Sequence, residues 1–224
     1  MLGTLRLPLI LLLVGNTSTA AGTNIAISAA SAASGSVEHV RAGRVHWRVV
    51  AWMAPPSIAG AVAGAFLGHA VPDRALLAAV AAVLAWNGAD LLFRPFFEHP
   101  VERPRLGPAI VFGFVIGVIG GALGVILGTL RVPALLRAVG LTARKAAGTN
   151  LVVGFLLGAF GFAAHAARLE VNWPVLGAGL AGAVPGGWLG ARATGRLSEA
   201  ALRGGLGVAL VAVAIAFAVE AALR

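Results

Sequence analysis

Two arginines, Arg6 and Arg131, sit in stretches that repeat: Gly3-Thr4-Leu5-Arg6-Leu7-Pro8 returns as Gly128-Thr129-Leu130-Arg131-Val132-Pro133. Each is followed by a second polar motif, first Ala21-Gly22-Thr23-Asn24 and then Ala147-Gly148-Thr149-Asn150. A guanidinium offers a planar fork of donors suited to a tetrahedral or pyramidal oxyanion, and Thr hydroxyls and Asn amides add donors without charge. Glycine admits the close approach of another backbone. The set reads as an anion site whose parts occur twice: Arg6, Arg131, Thr4, Thr129, Gly22, Thr23, Asn24, Gly148, Thr149 and Asn150. With the two halves facing each other, both guanidiniums are expected to flank one anion. The plainer readings are arginines that snorkel to a polar surface and small residues that pack helices.

Other chemistry-bearing residues are sparse. His39 and His165 are equivalent in the two copies, and Glu38 beside His39 makes a proton-coupling site conceivable. An interfacial helix end is the commoner setting. Trp47 and Trp173 read as interfacial anchors, and Asp90 as a partner for Arg94 one turn later. Gly117, Gly120, Gly121 and Gly124 lack the preceding strand and acidic partner of a dinucleotide loop, so close helix packing explains them better. Cys and Tyr are absent. No nucleophile–base set, metal-ligand spacing or phosphate loop is present, so neither an enzyme nor a cofactor is expected.

The repeat extends well beyond these motifs. The arginine motif is displaced by 128 − 3 = 125 positions and the Gly-Thr-Asn motif by 148 − 22 = 126. The same 126 pairs His39 with His165, Trp47 with Trp173, Gly60 with Gly186 and Gly64 with Gly190. A self-match at fixed period marks a duplicated unit. At 59% hydrophobic and 11% charged residues, the chain lies far from the roughly 25% charged composition of soluble domains and reads as an all-α integral membrane protein. The net charge of +9 is spread singly over short connections, which fits orientation in a bilayer and not nucleic-acid binding.

These motifs require helices to position them. Apolar runs at Ala20 to Val37, Val49 to Leu67, Ala75 to Phe93, Pro108 to Leu127, Ala147 to Ala166, Val171 to Ala191 and Ala200 to Ala222 predict membrane helices. Arg94 to Gly107, rich in proline and charge, reads as a cytoplasmic linker between repeat 1 (1–93) and repeat 2 (108–224). Residues 1 to 22 imitate a secretory signal, yet the second copy of the motif lies mid-chain. The first copy lacks a counterpart of Pro108 to Leu127, so about twenty further residues are expected upstream of Met1.

Val132 to Val139 is too short to cross, covering about 12 Å of a core about 30 Å thick. If it turns back as a hairpin with Pro108 to Leu127, twelve basic residues share one side and Arg74, Arg168 and Arg224 the other. If Pro108 to Leu127 crosses outright, the division is eight to seven. The positive-inside rule selects the hairpin. Each repeat then has an odd number of crossings, a broken-helix hairpin plus three transmembrane helices, and the repeats must be inverted, with the first hairpin incomplete. Inverted repeats with interrupted helices are secondary-transporter architecture, with sites near the bilayer midplane.

A glycine-rich apolar helix, a Val-Pro break, a short helix and Ala-x-Gly-Thr-Asn opening the next span, all duplicated, resemble the TauE/SafE sulfite exporter family. The turn Arg41-Ala42-Gly43-Arg44-Val45-His46-Trp47-Arg48 is also similar to the loop after that family's second helix. The resemblance implies transport of sulfite, organosulfonates or related sulfur oxyanions across the bacterial inner membrane by a multi-pass protein. Two features depart from the family pattern: the glycine run before the break is reduced to Ile126-Leu127-Gly128, and an arginine stands where an apolar residue is usual.

The expected function is a secondary transporter, its partners a small anion, the lipid bilayer, a coupling proton or ion and a second copy in a homodimer. The alternative is a non-transporting interaction or structural subunit. The topology is testable in this Cys-free chain. A single cysteine at His99, in the linker, should resist an impermeant maleimide applied to intact cells and react after lysis; labelling from outside would overturn the inverted arrangement.

Overall fold

The computed structural model describes residues 3–67, 73–93, 104–123 and 127–223. All regular structure among them is helical: α1 (Gly3–Val14), α2 (Thr17–Arg41), α3 (Trp47–Leu67), α4 (Asp73–Phe93), α5 (Leu106–Leu123), α6 (Gly128–Pro133), α7 (Ala143–Ala167), α8 (Trp173–Arg196) and α9 (Glu199–Leu223). A π-helical turn, Ala134–Ala138, continues α6. Ala143–Ala167 and Ala200–Val219 are long and apolar enough to cross a membrane by length and composition, while Ala81–Phe93 and Leu106–Gly120 are shorter apolar stretches. Of the expected spans that fall short, α2 is diluted by Ser, Thr and Asn, and α8 by glycine and proline. The outer faces are apolar: Leu12 is 82% exposed, Phe93 80% and Trp86 67%. Such a surface belongs in lipid.

One expectation is corrected at the helix breaks. Arg131 and Pro133 were expected at the interruption itself, but both lie inside α6, as Arg6 and Pro8 lie inside α1. Pro133 withholds a backbone donor, and directly after it the ladder widens, with Val139 N donating to Ala134 O at 3.1 Å. The widened turn lets the chain carry a proline without stopping. Position 94 and most of the expected linker (94–103) lie outside the described residues.

The two copies are built alike in detail. Asn16 caps α2 by accepting from Thr19 N, and Thr142, 126 positions on, caps α7 by accepting from Lys145 N. Nδ1 of His46 accepts from Val49 N at the start of α3, and Asn172 Oδ1 accepts from Val175 N at the start of α8. Burial, followed by the nearby Lys145, holds His46 below the ordinary histidine range, which favours the neutral ring with a nitrogen free to accept. Both α2 and α7 end in a Schellman-type cap: Arg44 N donates to His39 O and Glu170 N to His165 O, each at 2.9 Å. The left-handed residue of the cap is Gly43 (φ 65°) in one copy and Leu169 (φ 59°) in the other.

The copies also hold each other. Thr23 Oγ1 accepts from the backbone N of Asn172 at 2.9 Å, and Thr149 Oγ1 accepts from the backbone N of His46 at 3.0 Å. Gly22 lies against the Glu170 carbonyl and His165, and Gly148 against the Arg44 carbonyl and His39. Since 44 + 126 = 170 and 46 + 126 = 172, the Gly-Thr pair of each copy receives the same turn of the other. Contacts run from Gly22–His165 through Ile25–Gly161 and Gly35–Leu151 to His39–Gly148, so α2 and α7 pack antiparallel. The equivalent pair α4 and α9 does likewise, with Gly88 against Val211 and Leu92 against Gly207. The symmetry is not complete. Gly60 and Gly64 of α3 lie on the α5 backbone at Phe114 and Val118, whereas nothing among the described residues lies within 4 Å of where a side chain would begin at Gly186 and Gly190 of α8.

A side chain at Gly22 or Gly148 would meet a main-chain carbonyl that cannot step aside, and overpacking of this kind costs about 1 to 3 kcal/mol. Removing the threonine hydroxyl strands a backbone N–H, at about 1 to 3 kcal/mol. Gly22→Ala, Gly148→Ala, Thr23→Val and Thr149→Val should therefore each lower the melting temperature of the purified chain, equivalent positions by similar amounts. Wild-type melting in all four would contradict the clamp.

Candidate functional site

α6 is short and enclosed: Thr129, Leu130, Arg131, Val132 and Pro133 are all buried. Its apolar residues join a core formed with α3, α4, α5, α7 and α9. Arg131 is 1% exposed. Its Nη1 donates to Asn150 Oδ1 at 3.1 Å, while its Nε has no hydrogen-bond partner among the described residues. Thr129, 3% exposed, has an unpartnered Oγ1 as well. Gly128 lies beside the Asn150 amide, bringing the N-terminal end of α6 against α7. A buried cation is costly unless paired and hydrogen-bonded, and no ion pair to Arg131 is found among the described residues. Two buried polar atoms without partners on one short helix supply unused hydrogen-bonding capacity next to a positive charge.

The first copy repeats the arginine–asparagine pairing but not its details. Arg6 Nε donates to Asn24 Oδ1 at 3.0 Å, matching the Arg131–Asn150 pair. Its Nη2 donates to Ser28 Oγ at 2.7 Å and to the Asn24 carbonyl at 3.3 Å. Arg6 is only partly buried. The side chain of Thr4 lies outside the described residues.

The two arginines are held at separate asparagines. Since α2 and α7 are antiparallel, with Ile25 facing Gly161 and Gly22 facing His165, Asn24 lies level with about position 162 of α7. Asn150 is 162 − 150 = 12 residues away, on the order of 18 Å along the helix pair. Two guanidiniums bridged by one oxyanion stand within about 8 Å, given donor–acceptor distances near 3 Å. Each arginine instead keeps its own asparagine. The Gly-Thr residues, expected beside them as anion donors, are placed at the turns of the opposite copy: Gly22, Thr23, Gly148 and Thr149 are all buried there. Only the asparagines of the Gly-Thr-Asn motifs touch the arginines.

Other sequence candidates fall elsewhere. Nδ1 of His165 is 2.7 Å from Glu170 Oε2, whereas His39 is buried with Nδ1 unpartnered among the described residues. Glu170 replaces, in the second copy, the basic Arg44 of the first. Trp47 and Trp173 begin α3 and α8 and are exposed. Asp90 was expected to pair with Arg94, which lies outside the described residues; it forms an ion pair with Arg137 of the π-helical turn. Ser28 and its counterpart Gly154 were missed by the sequence reading, although 28 + 126 = 154 aligns them.

Comparison with known proteins agrees with this all-helical, duplicated, apolar chain. The family model described as "Sulfite exporter TauE/SafE" matches residues 2–217. A Xylella fastidiosa protein described as "Probable membrane transporter protein" is 30% identical over 227 residues, covering 94% of this chain and 84% of that protein. No solved structure matches. With the family model spanning nearly the whole chain, the protein is a membrane transporter that belongs to the sulfite exporter TauE/SafE family.

Proposed function

We propose that the chain is a secondary transporter of a small sulfur oxyanion, sulfite or an organosulfonate, across the bacterial inner membrane. The observation that carries this reading is the pair of unpartnered polar atoms, Arg131 Nε and Thr129 Oγ1, both on fully buried side chains of α6. An oxyanion supplies what both atoms lack, an acceptor with negative charge for the guanidinium edge and further acceptors for the hydroxyl. Asn150 holds the guanidinium from the opposite side through Nη1, so the arginine is oriented before the ligand arrives. In this reading Gly22, Thr23, Gly148 and Thr149 are the frame of the site, and Arg131, Thr129 and Asn150 are its lining.

Inversion of the two halves is part of the proposal. It is supported by the antiparallel pairing of equivalent helices, α2 with α7 and α4 with α9, and by the exchange of equivalent turns between the copies. Elements exchanged about such an axis have two equivalent arrangements, the requirement for alternating access. The asparagines that hold Arg6 and Arg131 stand roughly 18 Å apart along the α2–α7 pair, a separation that fits arginines on opposite sides of the midplane.

Hydrogen bonds to a charged group contribute about 1.5 to 3 kcal/mol. Arg131→Gln should therefore weaken uptake of labelled sulfite or taurine into proteoliposomes roughly ten- to hundredfold in apparent affinity, and Thr129→Val roughly tenfold. Arg6→Gln should have a smaller effect, because Arg6 is already satisfied by protein groups. Wild-type flux in Arg131→Gln, with normal folding and insertion, would remove α6 from the site. Intact sulfite binding without flux in the wild type would point to the interaction-subunit alternative.

A further inference from the structure

We infer that Gly154 keeps the Arg131 site open to an anion, that Ser28 closes its counterpart around Arg6, and that the chain has one competent anion site. The inference rests on the reading of Arg131 as a substrate residue and adds the residue that makes it so. Residues four apart on a helix lie on one face. On α2 these are Asn24 and Ser28, and Arg6 lies along both, with Nε on Asn24 Oδ1 at 3.0 Å and Nη2 on Ser28 Oγ at 2.7 Å. The Nε–Nη2 edge, the side of a guanidinium that grips a two-oxygen group, is thus filled by two neutral oxygens of the protein itself. On α7 the corresponding positions are Asn150 and Gly154. Gly154 is buried and contributes no oxygen.

Arg131 uses Nη1 for Asn150, and its Nε has no hydrogen-bond partner among the described residues. The serine hydroxyl of the first copy is a built-in stand-in for one oxygen of an oxyanion, and the second copy lacks it. Burial adds to the contrast: Arg131 is 1% exposed, whereas Arg6 is partly open and can exchange hydrogen bonds with its surroundings. An anion at Arg131 Nε therefore replaces no protein acceptor, while one on the Arg6 edge must displace both Asn24 Oδ1 and Ser28 Oγ. Two sites of nearly the same sequence thus differ in the Ser28 hydroxyl and in the nitrogen that holds the asparagine, Nε in the first copy and Nη1 in the second.

The test compares Gly154→Ser, Gly154→Ala and Ser28→Gly in the purified full-length chain, using sodium sulfite and taurine as probes in calorimetric titration and thermal unfolding. Alanine adds the same Cβ as serine without the hydroxyl. Gly154→Ser should weaken the better probe at least about tenfold more than Gly154→Ala, the fold-change of one charged hydrogen bond. Without anion it should melt above Gly154→Ala, since Arg131 gains a partner. Ser28→Gly should raise the stoichiometry from one equivalent to two, or, if the open Arg6 site is too weak to count, lower the anion-free melting temperature and restore it on addition of anion. Equal binding by Gly154→Ser and Gly154→Ala overturns the inference. So does a wild-type stoichiometry of two. Arg131→Gln separates the two levels of the argument. Probe binding lost in Arg131→Gln but unchanged in Gly154→Ser defeats only the role of Gly154. Probe binding in the wild type that survives Arg131→Gln, or no binding of either probe, defeats the assignment of Arg131 and this inference with it.

Discussion

The contact on which the structure turns is the antiparallel packing of α2 on α7, with the turn of each copy seated on the Gly-Thr pair of the other. Helices in lipid gain little from burying apolar surface against one another, so close backbone approach and interhelical hydrogen bonds must supply the specificity. Gly22 and Gly148 provide the approach, with no Cβ between helix and carbonyl. Thr23 and Thr149 provide the hydrogen bonds, each to a backbone N–H that begins the next helix. One motif thus fixes the level of α2 against α7 and the entry point of α3 and α8. The asparagine that follows is carried to the arginine of its own copy as a by-product of that register.

With the register set, the electrostatics of α6 follow. A guanidinium removed from water needs acceptors for its donors, and each copy supplies an asparagine one helix away. In the first copy a serine completes the set, and partial exposure relieves the remainder. In the second, Arg131 is fully buried, and its Nε and the neighbouring Thr129 hydroxyl have no partner among the described residues. Unsatisfied buried groups lower stability by about 1 to 3 kcal/mol each. The π-helical turn after Pro133 places Arg137 against Asp90, so the segment carrying Arg131 is tied at its far end by an ion pair to α4. α6 is held between that tie and the Asn150 contact.

Much of this was legible in the sequence because duplication writes structure twice. The displacement of 125 to 126 residues picked out both arginines, both Gly-Thr-Asn motifs, the paired histidines and the paired tryptophans without any coordinates. It could not show what the Gly-Thr pairs touch, because the partner atoms are backbone N–H and C=O groups at His46, Asn172, Arg44 and Glu170, and backbone groups have no residue signature. The structure sets the two arginine–asparagine pairs apart for a geometric reason. Asn24 and Asn150 each lie about seven residues inside the N-terminal end of its helix, and antiparallel packing of two helices of 25 residues puts those points well apart. The Ser28–Gly154 difference was aligned by the same displacement, yet one small residue against another carries no weight until a guanidinium is seen beside it.

The account's central claim is that one anion binds at α6 and not between the two arginines. Selenite is a pyramidal oxyanion like sulfite, and its selenium scatters anomalously, so a crystal structure of the full chain grown with selenite locates it without bias from the protein. The account predicts one selenium peak within hydrogen-bonding reach of Arg131 Nε and Thr129 Oγ1, and none beside Arg6. A peak midway between Arg6 and Arg131, a peak at Arg6 alone, or an Arg131 edge engaged by protein groups with no selenium beside it would contradict it.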